Sequence, residues 1–180
     1  MTKNKGRILL AVTGWDPETW RSELTAAAPD RELVVEPHDP DDASIRYAVV
    51  WKQRPGLLSS LPNLEVIFSL GAGVDHLFND PDLPDVPVVR VVSDDLTMRM
   101  SEYVLWQVLD HHRLDPAYRR QQEAHVWHED RRQVAASDVT VGILGLGVLG
   151  REAAAKLRMM GFRVSGWSRR RQELEGVRCF

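Results

Sequence analysis

A glycine pattern in the last quarter of the sequence constrains the fold of this chain more than any other feature. Three glycines within 145–150 have the spacing G-x-G-x-x-G. An apolar stretch at 139–144 precedes them, an alanine-rich stretch at 151–160 follows, and a second apolar stretch occupies 162–167. The spacing alone is a weak signal. The succession of strand, glycine turn, helix and strand within about thirty residues, however, predicts the start of a Rossmann dinucleotide-binding domain.

Each glycine of this pattern has a physical role. Gly145 permits the tight turn out of the strand, Gly147 lets the backbone approach a pyrophosphate, and Gly150 lets the helix pack against the strand. The pyrophosphate is expected at the helix N-terminus, where free N–H groups and the helix dipole favour negative charge. The predicted pyrophosphate-binding residues are Gly145, Gly147, Val148, Leu149 and Gly150. The alternative is a glycine-rich turn that binds nothing.

The residues after the second strand predict which dinucleotide binds. A site that prefers NAD(H) usually has Asp or Glu about twenty residues after the glycines, bound to the ribose 2′-hydroxyl. Here no carboxylate occurs between Gly166 and Glu173. Ser168, Arg169 and Arg170 can instead bind a 2′-phosphate through charge-assisted hydrogen bonds. We predict that NADP(H) is preferred and NAD(H) possible, the alternative being a surface arginine cluster.

The first part of the chain has the pattern of an α/β fold. Strands are predicted at 7–13, 32–36, 47–51, 64–69 and 87–92, with a helix at 16–28 and a helical turn at 55–61. Short apolar strands joined by helical or turn segments indicate a parallel, doubly wound sheet. We therefore predict one domain over 1–98 and the N-terminal, incomplete part of the dinucleotide-binding domain over 99–180. Helices at 97–113 and 116–125 open the second domain.

A second glycine turn follows the fourth predicted strand. It contains Gly71 and Gly73 but no third glycine, so it is not a dinucleotide fingerprint. Small residues at the carboxyl end of a strand expose successive N–H groups, and those of Ala72, Gly73 and Val74 could hold a carboxylate. A plain tight turn is the alternative. Of the next two residues, we expect the aspartate at 75 to cap a helical turn and the histidine at 76 to lie on the surface; an acid–base pair is the alternative.

Composition narrows the classes of function. No apolar stretch has the roughly 18 residues that a membrane span needs, the stretch at 8–12 is too short for a signal peptide, and no basic run suggests nucleic acid. The single cysteine, Cys179, argues against a disulfide framework and favours a cytoplasmic location. Residues 1–98 contain 9 Lys and Arg against 16 Asp and Glu, whereas 99–180 contain 14 against 10. The basic second part suits an anionic ligand, although ordinary arginine-rich helix surfaces would give the same balance.

Taken together, these pieces resemble one family. They are Val-Trp-Lys at 50–52, Pro-Gly-Leu-Leu at 55–58, Leu-Gly-Ala-Gly-Val-Asp at 70–75, Leu-Thr at 96–97, Glu-Tyr-Val-Leu-Trp at 102–106, Gln-Gln at 121–122, Trp127, the fingerprint at 141–150 and Gly-Trp-Ser-Arg at 166–169. The combination and its order resemble the D-isomer-specific 2-hydroxyacid dehydrogenases, and within them the glyoxylate/hydroxypyruvate reductase A branch. These pieces span almost the whole chain and are far more specific than the fingerprint alone.

The resemblance implies a function for each part. The first domain would be a flavodoxin-like substrate domain in which the turn Gly71, Ala72, Gly73 and Val74 holds the carboxylate of a small 2-oxo acid. Trp51 would line the substrate pocket, although without the resemblance it is equally well a core-edge aromatic, and Met100 would lie near the nicotinamide. The family reduces such acids with NADPH to 2-hydroxy acids, and its members pair through the cofactor domain. A homodimer through the helices of 99–135 is therefore expected.

The sequence departs from the family in one respect. The family's substrate-binding Arg, its proton-donating His and the Glu paired with that His follow the second strand of the dinucleotide fold. The six histidines here, His38, His76, His111, His112, His125 and His128, all precede the fingerprint, so no catalytic residue is assigned. We expect the sequence to be the N-terminal portion of a longer chain. The adjacent pair His111-His112 does not predict a metal site, because neighbouring helical residues point about 100° apart.

Two other functions stay open at this point. A non-catalytic dinucleotide-sensing or assembly protein would need none of the missing catalytic residues. An NAD-linked dehydrogenase of the same family would act on another substrate, such as formate or phosphoglycerate. The sequence does not predict which 2-oxo acid is reduced, or the physiological direction of the reaction.

Overall fold

The computed structural model describes residues 5–36, 42–131 and 133–180, which form two compact units. The first unit comprises residues 1–92 and the second residues 93–180, so the boundary precedes the position predicted from the sequence, residue 98. The reason lies in the N-cap of the helix that opens the second unit. The hydroxyl of Ser93 accepts a hydrogen bond from Leu96 N at 3.4 Å. The helix therefore begins at Asp94, whereas the sequence predicted a start at Thr97.

The first unit is a five-stranded parallel sheet with short helices. Its elements are β1 (Arg7–Val12), α1 (Pro17–Ala27), β2 (Leu33–Val35), β3 (Ile45–Trp51), β4 (Val66–Ser69), α2 (Asp75–Phe78) and β5 (Val88–Arg90). The strand order is β2-β1-β3-β4-β5, and every pairing is parallel. This is the flavodoxin-like order, so the predicted α/β, doubly wound architecture is confirmed. The segment predicted as a helical turn at 55–61 forms a succession of turns.

The core of the first unit lies on both faces of this sheet. Alternate residues of β1 belong to two separate apolar clusters: Leu9 and Ala11 pack on one face, Ile8 and Leu10 on the other. A strand that is apolar at every position is what a sheet covered on both faces requires. Each fully buried leucine side chain contributes roughly 1.5–3 kcal/mol of hydrophobic free energy.

The second unit combines two leading helices with a three-stranded parallel sheet. Its elements are α3 (Asp94–His112), α4 (Asp115–Glu123), a 3-10 turn (Ala136–Asp138), β6 (Thr140–Leu144), α5 (Val148–Met159), β7 (Arg163–Trp167) and β8 (Val177–Cys179). The sheet order is β6-β7-β8. Its buried cluster comprises Ala154, Leu157, Phe162 and Val164, against which α3 packs Val104, Leu105, Val108 and Leu109.

Helix α5 begins three residues earlier than the sequence predicted, at Val148 rather than residue 151. Its N-cap is Gly147, so Gly150 lies within the first turn rather than ahead of the helix. Among the described residues, no helix is both long enough and apolar enough to cross a bilayer.

Candidate functional site

The glycine turn between β6 and α5 has the geometry of an anion site. Gly145 adopts a φ of +107°, a conformation that side chains disfavour, and its N–H donates to Trp167 O at 2.8 Å. A Cβ at Gly150 would lie 1.9 Å from Gly145 O, so position 150 admits no side chain. A Cβ at Gly147, by contrast, would meet no heavy atom of the described residues within 4 Å, and this open face is where a ligand can approach the backbone.

The first amides of α5, which follow Gly147 directly in the chain, have no helical acceptor. The first intrahelical bond runs from Arg151 N to Gly147 O at 2.9 Å, and the preceding N–H groups of a helix have no intrahelical acceptor. These are the amides of Val148, Leu149 and Gly150. The first turn contains no acidic residue, so the positive end of the helix dipole is not neutralised there.

Side chains that sequence reasoning missed hold the turn in place. Leu146, between the first two glycines, is 2% exposed, and it packs on Gly166 of β7, where a Cβ would lie 2.5 Å from the Leu146 Cδ2. Arg151 Nε donates to Leu146 O at 3.0 Å, and the Arg151 guanidinium also bonds the side-chain carbonyl of Gln172. The glycine turn and the segment after β7 are therefore connected. No sequence signal predicted the Arg151–Gln172 contact, since it joins a residue in the first turn of α5 to one in the segment after β7.

The segment after β7 presents the predicted basic residues. Ser168 Oγ donates to Arg170 O at 2.6 Å, and Gln172 Nε2 donates to the same carbonyl at 3.2 Å, so the segment curls around that oxygen. Arg169 and Arg170 are exposed, and within the described part of the chain neither forms an ion pair with a carboxylate. Unpaired guanidinium groups beside a serine hydroxyl fit a phosphate monoester. The residues present therefore fit a 2′-phosphorylated dinucleotide.

The second glycine turn, after β4, leaves three consecutive amides available. Gly71 N donates to Ser69 Oγ at 3.2 Å, and Gly71 O accepts from Val91 N at 3.4 Å. No acceptor within 5–36, 42–131 or 133–180 takes the amides of Ala72, Gly73 or Val74. The turn is fixed at its first residue and open at the next three, as a carboxylate site requires.

Trp51 lies directly against this turn, in an aromatic group. A Cβ at Gly71 would lie 2.1 Å from Trp51 Cζ3, so the indole occupies the space that any larger residue would need. Trp15 stacks on Trp51 with ring centroids 4.8 Å apart and an interplanar angle of 10°, and the His76 ring lies 5.0 Å from Trp51. Sequence reasoning singled out Trp51 and placed His76 on the surface, but it did not identify Trp15.

Two predictions about the residues after this turn are wrong. Asp75 is already the first residue of α2, so the N-cap is Val74. Val74 makes no side-chain cap bond, because valine has no polar side-chain atom. His76 is not a surface residue: it is half-buried, and its Nε2 is buried without a partner in the described structure. Burial lowers the pKa of His76, Lys52 lowers it further, and Asp75 opposes them.

The other residues considered from the sequence, Met100 and the histidines, lie outside the two glycine turns. Met100 lies on α3 and is exposed. His112 packs edge-on against Phe162 at 5.1 Å, whereas His111 is exposed. Among the described residues, no three His, Cys, Asp or Glu side chains are grouped as a metal site would require; His38 lies outside them.

Comparison with known proteins relates both glycine turns to one group of enzymes. A family model described as D-isomer specific 2-hydroxyacid dehydrogenase, NAD binding domain, matches residues 105–179. The chain is 34% identical over 174 residues to the glyoxylate/hydroxypyruvate reductase A of Serratia proteamaculans, covering 92% of this chain and 54% of that protein. The chain therefore spans little more than half the length of this relative.

Solved structures agree with this relationship. The NADPH-dependent glyoxylate/hydroxypyruvate reductase from Sinorhizobium meliloti, in complex with NADP and sulfate, superposes with a TM-score of 0.87 at 47% identity, covering 98% of this chain and 56% of that one. A D-isomer specific 2-hydroxyacid dehydrogenase from Xanthobacter autotrophicus Py2, in complex with NADPH and MES, gives a TM-score of 0.89 at 39% identity, with coverages of 97% and 57%.

Proposed function

Because this chain belongs to the D-isomer-specific 2-hydroxyacid dehydrogenase family, as its sequence resemblance predicted, we propose that it serves the NADPH-dependent reduction of small 2-oxo acids, such as glyoxylate and hydroxypyruvate, to 2-hydroxy acids. The observation that carries this proposal is the pairing, within one unit, of the open amides of Val148, Leu149 and Gly150 with the unpaired guanidinium groups of Arg169 and Arg170. The first set fits a diphosphate and the second fits a 2′-phosphate.

The cofactor contacts follow from the chain's own residues. The helix N-terminus and the unhindered face of Gly147 receive the diphosphate. Ser168, Arg169 and Arg170 receive the 2′-phosphate, so that NADP(H) is preferred while NAD(H) is still accepted. The relatives crystallised with NADP and NADPH support this preference. The chemistry supplied by bound NADPH is hydride donation to a carbonyl carbon.

The first unit then holds the substrate. The amides of Ala72, Gly73 and Val74 bind the carboxylate of the 2-oxo acid, and Gly71 allows Trp51 to form a wall beside it. The first unit, predicted from the sequence as residues 1–98, thus acts as the substrate domain, and the second, predicted as residues 99–180, acts as part of the cofactor domain, where Met100 lies near the nicotinamide. No proton donor is assigned within residues 1–180, because the family's catalytic Arg, Glu and His follow the second strand of the dinucleotide fold.

Two further proposals concern the oligomeric state and the cellular location of the protein. We propose a homodimer formed through the helices of 99–135, supported by the exposed aromatic side chains of Tyr103, Trp106 and Trp127. We also propose a cytoplasmic location, supported by the single cysteine.

Steady-state kinetics of the full-length protein test the proposed function. We expect the absorbance of NADPH to fall on addition of glyoxylate or hydroxypyruvate, with a higher kcat/KM for NADPH than for NADH. A folded protein that binds NADPH but reduces no 2-oxo acid would favour the sensing or assembly function instead. A strong preference for NADH would favour the NAD-linked dehydrogenase.

A further inference from the structure

An aromatic pair covers the switch point of the first sheet. Trp15 follows β1, Trp51 ends β3 and Gly71 follows β4, and these three strands are neighbours in the order β1-β3-β4. Their carboxyl ends therefore meet at one edge of the sheet. Open α/β sheets bind ligands at that edge, at the switch point, which in this strand order lies between the parallel strands β1 and β3. Here the indoles of Trp15 and Trp51 lie at that position.

The backbone around Trp15 is fixed on both sides. Thr13 N donates to Trp51 O at 2.9 Å, which joins the ends of β1 and β3. Gly14 adopts a φ of +79°, and Asp16 caps α1 by accepting from Glu18 N at 3.0 Å. Trp15 thus has little freedom to leave Trp51.

The side-chain contacts of Trp15 point to positioning rather than to core packing. Trp15 is 40% exposed, and its recorded ring contacts are with Trp51 at 4.8 Å and with Trp20 at 5.7 Å. Trp51 is bounded by Trp15, by Gly71, where a Cβ would lie 2.1 Å away, and by His76 at 5.0 Å. Removal of Trp15 would leave the Trp51 indole without its stacked neighbour.

We propose that Trp15 is a positioning residue for substrate specificity. It holds the Trp51 indole against Gly71, and the fixed indole restricts the site on the Ala72–Gly73–Val74 amides to 2-oxo acids with short side chains. This inference rests on the proposed function, since it requires that those amides bind the substrate carboxylate. It adds a residue whose contribution acts entirely through Trp51.

Kinetics of Trp15→Leu and Trp15→Phe in the full-length enzyme test the inference. For Trp15→Leu we expect the KM for glyoxylate to rise by about tenfold, the size expected for loss of one stacked aromatic pair, while kcat and the KM for NADPH stay near the wild-type values. The relative kcat/KM for a longer substrate such as 2-oxobutyrate should rise. Trp15→Phe keeps an aromatic ring and should restore most of the glyoxylate KM. Phe78→Ala, which removes another exposed aromatic of the same unit, is the control and should match wild type.

A spectroscopic measurement keeps the test independent of activity. The indoles stacked on Trp15, those of Trp51 and Trp20, should give an exciton couplet in circular dichroism, and Trp15→Leu, which removes the ring common to both stacks, should abolish it. In the wild-type protein, saturation with oxalate, an unreactive dicarboxylate, should leave this couplet unchanged, because Trp15 already fixes the Trp51 indole, so the test survives if Trp15→Leu does not fold. Loss of the couplet with unchanged KM and specificity would overturn the inference, and so would a couplet that saturating oxalate abolishes. If the wild-type enzyme reduces no 2-oxo acid, the proposed function fails first and this inference fails with it.

Discussion

Leu146, in the middle of the glycine turn at 145–150, is buried on Gly166 of the neighbouring strand, where a Cβ would lie 2.5 Å from its Cδ2. The turn is therefore anchored to the sheet by an apolar side chain, while its glycines leave the opposite side open for a ligand. Gly166 therefore leaves the space that the Leu146 side chain occupies, although it is not one of the three fingerprint glycines.

Gly166→Ala should disturb this anchor. The added methyl group must displace the buried Leu146 side chain, which should cost about 1–3 kcal/mol of stability, as overpacking of a core does, and should also raise the Kd for NADPH. Chemical denaturation and fluorescence titration measure the two effects. Gly142→Ala is the matched control, because a Cβ there meets nothing within 4 Å among the described residues. Equal losses in both variants would contradict the anchoring role.

Gly71→Ala should weaken substrate binding and leave cofactor binding unchanged. Its Cβ would overlap Trp51 Cζ3, so the indole must move and the amides of the turn with it. We expect a rise in the KM for glyoxylate of at least about tenfold, corresponding to about 1.4 kcal/mol, with an unchanged Kd for NADPH. Combining it with Trp51→Phe, which shortens the clashing ring, should recover thermal stability. An increase of both constants to the same extent would argue against a substrate-side role.

Arg169→Ala and Arg170→Ala should weaken the binding of NADPH much more than the binding of NADH. Loss of a hydrogen bond to a charged group costs about 1.5–3 kcal/mol, so the Kd for NADPH should rise by about tenfold or more, while that for NADH changes little. Calorimetric titration with both dinucleotides gives the ratio. Arg171→Ala removes the adjacent exposed arginine and should affect neither. If NADPH and NADH binding weaken equally, the 2′-phosphate site is misassigned.

His76 should make stability depend on pH. Burial, with Lys52, lowers its pKa below the ordinary 6.5 against the opposing effect of Asp75. As the pH falls through about 6.5, the unfolded chain therefore binds a proton that the folded chain does not. The free energy of unfolding should decrease from about pH 7.5 to about pH 5.5.

In His76→Gln this decrease should be smaller. Denaturation at the two pH values measures it, and His111→Gln controls for the loss of one imidazole. An identical decrease in wild type and His76→Gln would rule out a contribution from His76.

The sequence predicted the fold well because its signals are local. An apolar run such as β1 and a glycine turn such as 145–150 define a strand and a bend wherever they occur. The starts of α3 and α5 were placed three residues late, and for α5 the reason is that a glycine such as Gly150 can lie in a first turn. The His76 environment, the Trp15–Trp51 stack and the Arg151–Gln172 bond depend on distant residues meeting, which no local pattern encodes.

We propose that the amides between Leu144 and Arg151 receive the diphosphate of NADPH. A crystal structure of the full-length protein with NADP bound tests this assignment. We predict diphosphate oxygens within hydrogen-bonding distance of the N–H groups of Val148 and Leu149, and the 2′-phosphate beside Arg169 or Arg170. A dinucleotide whose phosphates lie elsewhere, or a folded protein that binds none at saturating concentration, would refute the assignment.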